Sequence, residues 1–307
     1  MKKVFVLPMV IMAMSMFFAG SGLARAQRSD ESPWSLYAIT YGKGLILTSP
    51  DSETWTVRST GTDVPFAALE YGAVREYGAA GEYVKGIFVA VGSRGTIVTS
   101  PSDGSTWTIR QSGVTGDLWA IKFARRIFVA VGAAGTVITS PDGYTWTKRA
   151  NLTPYALRNI AYGKDNFITI GEMGAIFNSK DGIDWARLGT QFTDHLFGIV
   201  YAKGTFVAVG GNGRIMTSSD DGAIWTQRYS GTKEYLSAVT YGNERFVAVG
   251  AYGTIVTSPD ALNWTTVSSG SQSWLGAVFY TNKKFVVNGA DSTILTSPDG
   301  TNWSPKF

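Results

Sequence analysis

The sequence predicts an all-β fold, a seven-bladed β-propeller of four-stranded antiparallel blades in which blade 1 lacks a strand. Seven of the ten tryptophans form a ladder with steps of 39 or 40 residues, apart from a first step of 52. Each repeat contains four short β-branched or aromatic segments bounded by turn residues. Seven units of about 40 residues fill positions 27–307, and this period is typical of propeller blades.

The repeat at positions 236–268 shows how one blade is built. Residues 236–241 predict strand a, 246–249 strand b, 254–258 strand c and 264–268 strand d. The connections are too short for helices, so successive strands must pair antiparallel. Strands b and c are almost wholly apolar and need cover on both faces, which sheets stacked side by side provide.

The connection between strands c and d carries the most regular motif. Each copy runs from a Ser through an Asp to a ladder Trp, and five of the ten prolines lie in it. Asp accepts hydrogen bonds from nearby backbone N–H groups, and Pro suits the second position of a turn. We therefore predict structural roles for Asp51, Trp55, Asp103, Trp107, Asp142, Trp146, Asp181, Trp185, Asp220, Trp225, Asp260, Trp264, Asp299 and Trp303.

This turn resembles the Asp box, S-x-D-x-G-x-x-W, also called the bacterial neuraminidase repeat. Ser218, Asp220, Gly222 and Trp225 match its spacing in full, while five copies are one residue shorter. The longer pattern FVAVGxxGTIxTSxDGxxWT is similar to the photosystem II assembly-factor propellers. The resemblance implies the propeller fold and a role in assembling a membrane or envelope complex. Asp boxes also occur in sialidases and other glycosidases, so they do not select a function.

Two blades depart from the repeat. Tyr41 and Ser49 are nine residues closer in sequence than Tyr241 and Ser258, which removes strand b from blade 1. Blade 2 instead carries an insert at positions 73–85 with glycines at 78 and 81. We predict a hairpin that projects from the a–b end of the blade, and we interpret it as a surface insertion that the fold tolerates.

The N-terminus predicts export. Lys2 and Lys3 precede an apolar run at positions 4–18, and Ala24-Arg25-Ala26 follows as a cleavage site. This is the pattern of a secretory signal peptide at residues 1–26, which leaves 27–307 as one soluble domain in the periplasm or outside the cell, with no membrane span after cleavage.

Composition excludes several function classes. The chain has no cysteine and a single histidine, His195, which rules out disulfides, thiolate catalysis and zinc sites built on several imidazoles. Beyond the predicted signal peptide, 24 basic residues stand against 23 acidic ones. This balance gives no basic field for nucleic acid. We predict no cofactor, no metal and a monomer.

The antiparallel order places the d–a and b–c loops at one end of each blade, which is the usual binding side of a propeller. Several side chains near the starts of strand a break the repeat there and are the candidate ligand-binding residues. They either stack on a sugar or anchor a peptide, or they fill the channel of the propeller. His195 is either an acid–base group or a packing residue. The set is Trp119, Arg158, His195, Phe197, Tyr235 and Trp274.

Two kinds of enzyme active site could be built from side chains of the same loops. A sialidase would need three arginines around a carboxylate with a Tyr–Glu pair, and the available residues are Arg94, Arg158, Arg214, Tyr252 and Glu172. A glycosidase would need two carboxylates about 5–10 Å apart. The free acidic residues there are Glu172, Asp117, Asp194 and Asp291. We predict a non-catalytic module that binds or scaffolds a protein or glycan partner, with a glycoside hydrolase or sialidase-like enzyme as the alternative.

Overall fold

In the computed structural model the described residues are 5–6, 37–41, 44–49, 54–78, 81–189 and 192–305. The predicted signal peptide lies outside them except for Phe5–Val6, and so does Asp51. The described residues up to Pro154 form one compact unit, and those from Tyr155 onward form a second. The prediction that 27–307 is a single domain stays a prediction.

The first unit contains three antiparallel sheets. Sheet 1 consists of Phe5–Val6, Tyr37–Tyr41, Leu45–Ser49 and Thr54–Ser59. Sheet 2 consists of Phe66–Gly78, Gly81–Gly92, Ile97–Pro101 and Thr108–Arg110. Sheet 3 consists of Leu118–Ala124, Ile127–Gly132, Thr136–Ser140 and Thr147–Asn151.

The second unit contains four such sheets. Sheet 4 consists of Leu157–Gly163, Asn166–Gly171, Ile176–Ser179 and Ala186–Arg187. Sheet 5 consists of Leu196–Ala202, Thr205–Gly210, Ile215–Ser218 and Thr226–Arg228. Sheet 6 consists of Leu236–Gly242, Arg245–Gly250, Ile255–Ser258 and Thr265–Val267. Sheet 7 consists of Leu275–Thr281, Lys284–Gly289, Ile294–Ser297 and Ser304–Pro305.

Sheets 2 to 7 pair their strands a, b, c and d in sequence order. In sheet 6, for example, Phe246 of strand b lies opposite Tyr241 of strand a and Ser258 of strand c. A bulge shifts the register at the start of strand a, between Leu236 and Ala238. The all-β prediction is confirmed, and the predicted strand limits in sheet 6 hold to within one residue at each end.

Sheet 1 confirms the missing strand. Between residues 37 and 59 it has three strands, because Tyr41 pairs with Leu45 directly after a short connection. A two-residue strand, Phe5–Val6, lies antiparallel to Thr54 and Trp55 at the edge of this sheet.

The insert in sheet 2 is a hairpin, as predicted. The pairing of its two long strands continues out to Gly78 opposite Gly81. Near its tip, Glu76 accepts hydrogen bonds from the Tyr83 hydroxyl at 2.6 Å and the Lys85 ammonium at 3.1 Å. The Tyr144 hydroxyl, in the c–d turn of sheet 3, also donates to Glu76 at 3.4 Å. The hairpin is therefore fixed to the neighbouring sheet of its own unit.

The core is built from rings that recur in each sheet. Near the start of strand b lies a buried Phe, as at Phe246, whose ring centroid is 4.7 Å from Tyr241 and 6.3 Å from Trp264. Sheets 2, 3, 5 and 7 repeat this three-ring arrangement. Such contacts add to the hydrophobic gain from burying these rings.

The ladder tryptophans are less buried than the core residues. Trp264 is 8% exposed, but the other ladder tryptophans with described side chains are only half-buried. Each ring covers the end of its sheet, and in five sheets its indole N–H donates to a carbonyl of its own c–d turn, as from Trp225 to Gly222 at 2.8 Å. This bond fixes the ring at the turn.

Hydrogen bonds to the Asp carboxylate hold the c–d turns. In sheet 3 the Ser140 hydroxyl donates to Asp142 at 2.9 Å, and the backbone N–H groups of Tyr144 and Thr145 donate to it at 2.8 Å. Asp260 has the same arrangement, and there the backbone N–H and the side-chain amide of Asn263 hold the pKa of the carboxyl well below its usual range.

A second repeated contact ties strand d to strand c. An Arg three residues after the ladder Trp donates through Nε to the hydroxyl of a Thr on strand c. The distance is 2.8 Å for Arg228 to Thr217. Sheets 1, 2 and 3 have the same pair, formed by Arg58 and Thr48, Arg110 and Thr99, and Arg149 and Thr139.

Candidate functional site

The b–c connections present side chains from a constrained backbone. In sheets 2 to 6 each is one 3-10 turn, namely Ser93–Gly95, Ala133–Gly135, Glu172–Gly174, Gly211–Gly213 and Ala251–Gly253. The middle residue has a positive φ in every turn, although none of these residues is Gly. Tyr252, with φ 52° and 70% exposure, is the largest of them. A bulky residue in this region is strained, and such strain is often found at binding sites.

The b–c connections of sheets 5, 6 and 7 also hold the d–a loops that lead into the same sheets. The backbone N–H groups of Gly211, Ala251 and Ala290 donate to the carbonyls of His195, Tyr235 and Trp274 at 2.8, 2.9 and 2.7 Å. We call these acceptors the entry position of strand a. A buried Leu follows each of them, and the next residue is the second position. The predicted ligand-binding residues all occupy these two positions: His195, Tyr235 and Trp274 the first, and Trp119, Arg158 and Phe197 the second.

In the second unit, the second position of one sheet meets the entry position of the next. Phe197 of sheet 5 lies 6.0 Å from Tyr235 of sheet 6, between ring centroids. Ser237 of sheet 6 accepts a hydrogen bond of 2.7 Å from the indole of Trp274 in sheet 7. His195 stacks on Phe197 at 6.2 Å with 26° between the planes. These four rings, His195, Phe197, Tyr235 and Trp274, form the aromatic row.

The aromatic row is accessible in part. Tyr235 is 50% exposed, and the other three rings are half-buried. Nδ1 of His195 is buried and makes no hydrogen bond to any described residue. Trp119 belongs to the first unit, where it is half-buried on strand a of sheet 3. The structure thus brings His195, Phe197 and Tyr235 into contact, while Trp274 extends the row through Ser237.

Arg158, the fifth predicted residue of the second unit, is held by a carboxylate. It forms an ion pair with Glu172 of the b–c turn in its own sheet. Glu172 also accepts the backbone N–H of Ala156 at 3.2 Å. Burial would raise the pKa of Glu172, but the Arg158 and Ala156 hydrogen bonds and the charges of Arg158 and His195 outweigh it, so the pKa is lowered.

A second pair lies in sheet 5. Asp194, directly before His195, accepts the Arg214 guanidinium, with Nε at 2.9 Å, and the amide of Asn212. Burial acts to raise the pKa of Asp194, and these donors lower it overall. The Arg214 guanidinium also lies 4.7 Å from the ring centroid of Phe192. Sequence reasoning missed Phe192, because nothing in the repeat marks it.

Two of the three arginines weighed for a sialidase are paired within the protein. Arg158 and Arg214 each face a carboxylate of their own sheet. The third candidate, Arg94, belongs to the first unit, where its backbone N–H donates to Asp117 at 2.9 Å. Asp291, a carboxylate weighed for a glycosidase, accepts a hydrogen bond from Ser273 at 3.1 Å. No group of three His, Cys, Asp or Glu side chains is placed to hold a metal among the described residues.

Comparison with known proteins addresses the fold. The family model of the DUF6242 beta propeller domain matches residues 114–234, which is less than half of the chain. A search of curated protein sequences finds no match. No helix among the residues described above is long and apolar enough to cross a membrane.

Solved structures match over most of the chain. YCF48 bound to D1 peptide is 18% identical, with a TM-score of 0.62, and the match covers 92% of this chain and 86% of that one. YCF48 from Cyanidioschyzon merolae is 17% identical, with a TM-score of 0.56, covering 72% of this chain and 81% of that one. The computationally designed Ika8 protein is 14% identical, with a TM-score of 0.64, covering 94% and 90%.

These likenesses show the fold, and the two YCF48 structures confirm the resemblance to photosystem II assembly factors that the repeat predicts. The chain has the β-propeller fold, and its seven antiparallel sheets are the blades.

Proposed function

We propose that the protein is an exported, non-catalytic module that binds a protein partner through the loop end of sheets 4 to 7. The observation that carries the proposal is the aromatic row, in which Tyr235 is half-exposed. The exposed Tyr252 lies in the b–c turn of the same sheet. Partly exposed Tyr, Trp and Phe side chains on a rigid support are typical anchors of protein interfaces.

The polar groups around the row support recognition of a peptide. The ion pairs Arg158–Glu172 and Arg214–Asp194 lie at the same loop end and are each held by further hydrogen bonds. Charged groups held in this way can orient a backbone or a polar side chain without rearranging. YCF48 has been solved with a D1 peptide bound, so a propeller of similar fold accepts a peptide.

A hydrolase receives less support from the same geometry. A sialidase would use arginines that are free to bind a substrate carboxylate, whereas Arg158 and Arg214 each face a carboxylate of the protein. The two ion pairs instead fit a surface whose charged groups orient a protein partner.

A peptide library displayed on phage tests the proposed function. The wild-type protein should enrich a set of related peptides, and Tyr235→Ala should weaken their binding by about 1–3 kcal/mol. Phe197→Ala should act in the same direction. Ile224→Ala is the matched control, because Ile224 is 69% exposed in the c–d turn at the opposite end of sheet 5. Equal loss with Ile224→Ala, or no loss with Tyr235→Ala, would remove the proposed surface.

Export is the second part of the proposal. It is supported by Lys2, Lys3, the apolar run at 4–18 and Ala24-Arg25-Ala26. When the whole chain is produced in a bacterium, N-terminal sequencing of the exported protein should begin near Gln27. A product that keeps Met1 and stays in the cytoplasm would contradict export.

A further inference from the structure

Sheet 4 differs from sheets 2, 3 and 5 at the place where strands c and d meet. In sheet 5, Thr217 and Arg228 are hydrogen-bonded there, and Thr226 follows the ladder Trp. The three equivalent residues of sheet 4 are Asn178, Leu188 and Ala186. Asn178 lies opposite Ala186 in the strand register. Sheet 4 therefore lacks the guanidinium and both threonines that fill this position in sheets 2, 3 and 5.

Asn178 and Ala186 line a surface pocket of about 410 Å³. The pocket is lined by an aromatic ring, two amides, two carboxylates and an ammonium group. The side chains that supply them are Trp185, Asn166, Asn178, Asp181, Asp184 and Lys180. All belong to one sheet and its c–d turn, so the pocket is complete within the second unit.

Several of these groups are fixed by the fold. Asn166 is buried, and its amide nitrogen donates to the carbonyl of Lys164 at 3.2 Å, which leaves the amide oxygen as an acceptor. The indole N–H of Trp185 donates to the carbonyl of Gly182 at 3.1 Å. This bond holds the ring at the pocket wall and leaves its apolar surface for contact with a ligand.

The remaining polar groups offer both donors and acceptors. Asp181 is occupied by the turn, since it accepts Ser179 and the backbone N–H groups of Ile183 and Asp184. The carboxylate of Asp184 and the ammonium of Lys180 are exposed at the mouth of the pocket. Because the pocket lining has two carboxylates and only one ammonium, its net charge is negative and disfavours an anionic ligand such as a phosphate or an acid.

We propose that this pocket binds a neutral sugar unit. A hydroxyl group both donates and accepts, so it can bridge an Asp or an amide oxygen and a Lys or an amide nitrogen. The apolar face of a sugar ring can pack on the indole of Trp185. The site lies on sheet 4 alone and is separate from the aromatic row, so it can be right or wrong independently of the proposed protein-binding function.

Saturation-transfer NMR with defined probes tests the site. The probes are neutral mono- and disaccharides of glucose, galactose, mannose and N-acetylglucosamine, with glucose 6-phosphate as the anionic comparison. At least one neutral probe should bind with a Kd of about 1 mM or tighter, and glucose 6-phosphate should bind more weakly than glucose. Failure of every neutral probe to bind, or preference for the phosphate, would overturn the proposal.

Variants that restore the repeat provide the decisive comparison. The triple change Asn178→Thr, Ala186→Thr and Leu188→Arg introduces the residues of sheet 5, so the pocket should fill and the affinity should fall about tenfold or more. Asn178→Thr alone and Asp184→Asn should each lower it about two- to tenfold. Thr226→Ala, at the equivalent place in sheet 5, is the control and should leave the affinity unchanged. Circular dichroism checks that each variant is folded, and unchanged binding by the folded variants would contradict the site.

Discussion

At the scale of single residues, Trp264 and Trp225 occupy equivalent positions in the repeat but differ in solvent exposure. Trp264 is 8% exposed, while Trp225 is half-buried in the equivalent position. Trp264→Ala should therefore lower the free energy of unfolding by about 3–5 kcal/mol. Trp225→Ala should cost less, because part of its ring already contacts water. Urea unfolding of both variants measures the difference, and equal losses would contradict the role assigned to burial.

The carboxylate of Asp260 predicts a dependence on pH. Its pKa lies well below its usual range in the folded protein, because Asn263 and Leu262 donate hydrogen bonds to the charged form. A lowered pKa contributes stability that is fully present above the unfolded pKa and is lost progressively as the pH falls from there through the folded pKa. Asp260→Asn should therefore destabilise the protein most at pH 6 and less at pH 3, where the unfolded chain but not the folded protein has begun to protonate this carboxylate. A destabilisation that stays constant over this range would contradict the assignment.

The candidate site was predictable residue by residue but not in its contacts. Tyr235 and Trp274 could be identified because they break the repeat at the start of strand a. The approach of Phe197 to Tyr235 depends on how neighbouring sheets pack, which periodicity does not specify. The pairing of Arg158 with Glu172 likewise depends on the 3-10 turn that carries Glu172.

At the scale of elements, the sheet 2 hairpin is a local addition. Near its tip Glu76 accepts hydrogen bonds from Tyr83 and Lys85, and Arg75 lies opposite Val84 in the register. Replacing residues 76–83 by an Asn-Gly turn should join these two positions without strain. Sheet 2 should remain folded, because the buried Val74 and Phe88 lie outside the deleted segment. The melting temperature should fall by only a few degrees. Loss of the folded state would contradict this and show that the fold depends on the hairpin.

The repeat predicted the elements well because packing is repeated with them. Strands b and c are mostly apolar, and the structure buries nearly all of their residues. The pocket of sheet 4 was not predictable in the same way. Asn178, Ala186 and Leu188 are visible as departures from the repeat, but their side-chain volumes do not reveal whether neighbouring groups move in to fill the space.

At the scale of the whole molecule, each sheet depends on its neighbours. Within the second unit, sheet 5 packs Phe206 against Ile168 and Ile170 of sheet 4 in one core cluster. A second cluster joins Val207 and Val209 of the same sheet to Leu236 of sheet 6. Both faces of sheet 5 are thus covered by apolar side chains.

Removing a repeat should therefore prevent folding to a soluble protein. Deletion of residues 192–231 removes sheet 5 and leaves apolar faces of sheets 4 and 6 that were each fitted to it. Exposed apolar surface of this size favours aggregation. Size-exclusion chromatography should find little soluble monomer. A monomer as stable as the full chain would show that the sheets are independent.

The central claim is that the loop end of the second unit binds a protein partner through the aromatic row. Photo-crosslinking in cells that export the protein tests it most directly. A benzophenone amino acid is placed at Tyr235 in one variant and at Ile224 in another. Both positions are exposed, but Tyr235 lies in a d–a loop and Ile224 in a c–d turn, at the opposite end of the strands. We expect a protein adduct from position 235 and none from position 224. Adducts from position 224 alone, or none from either position, would contradict the account.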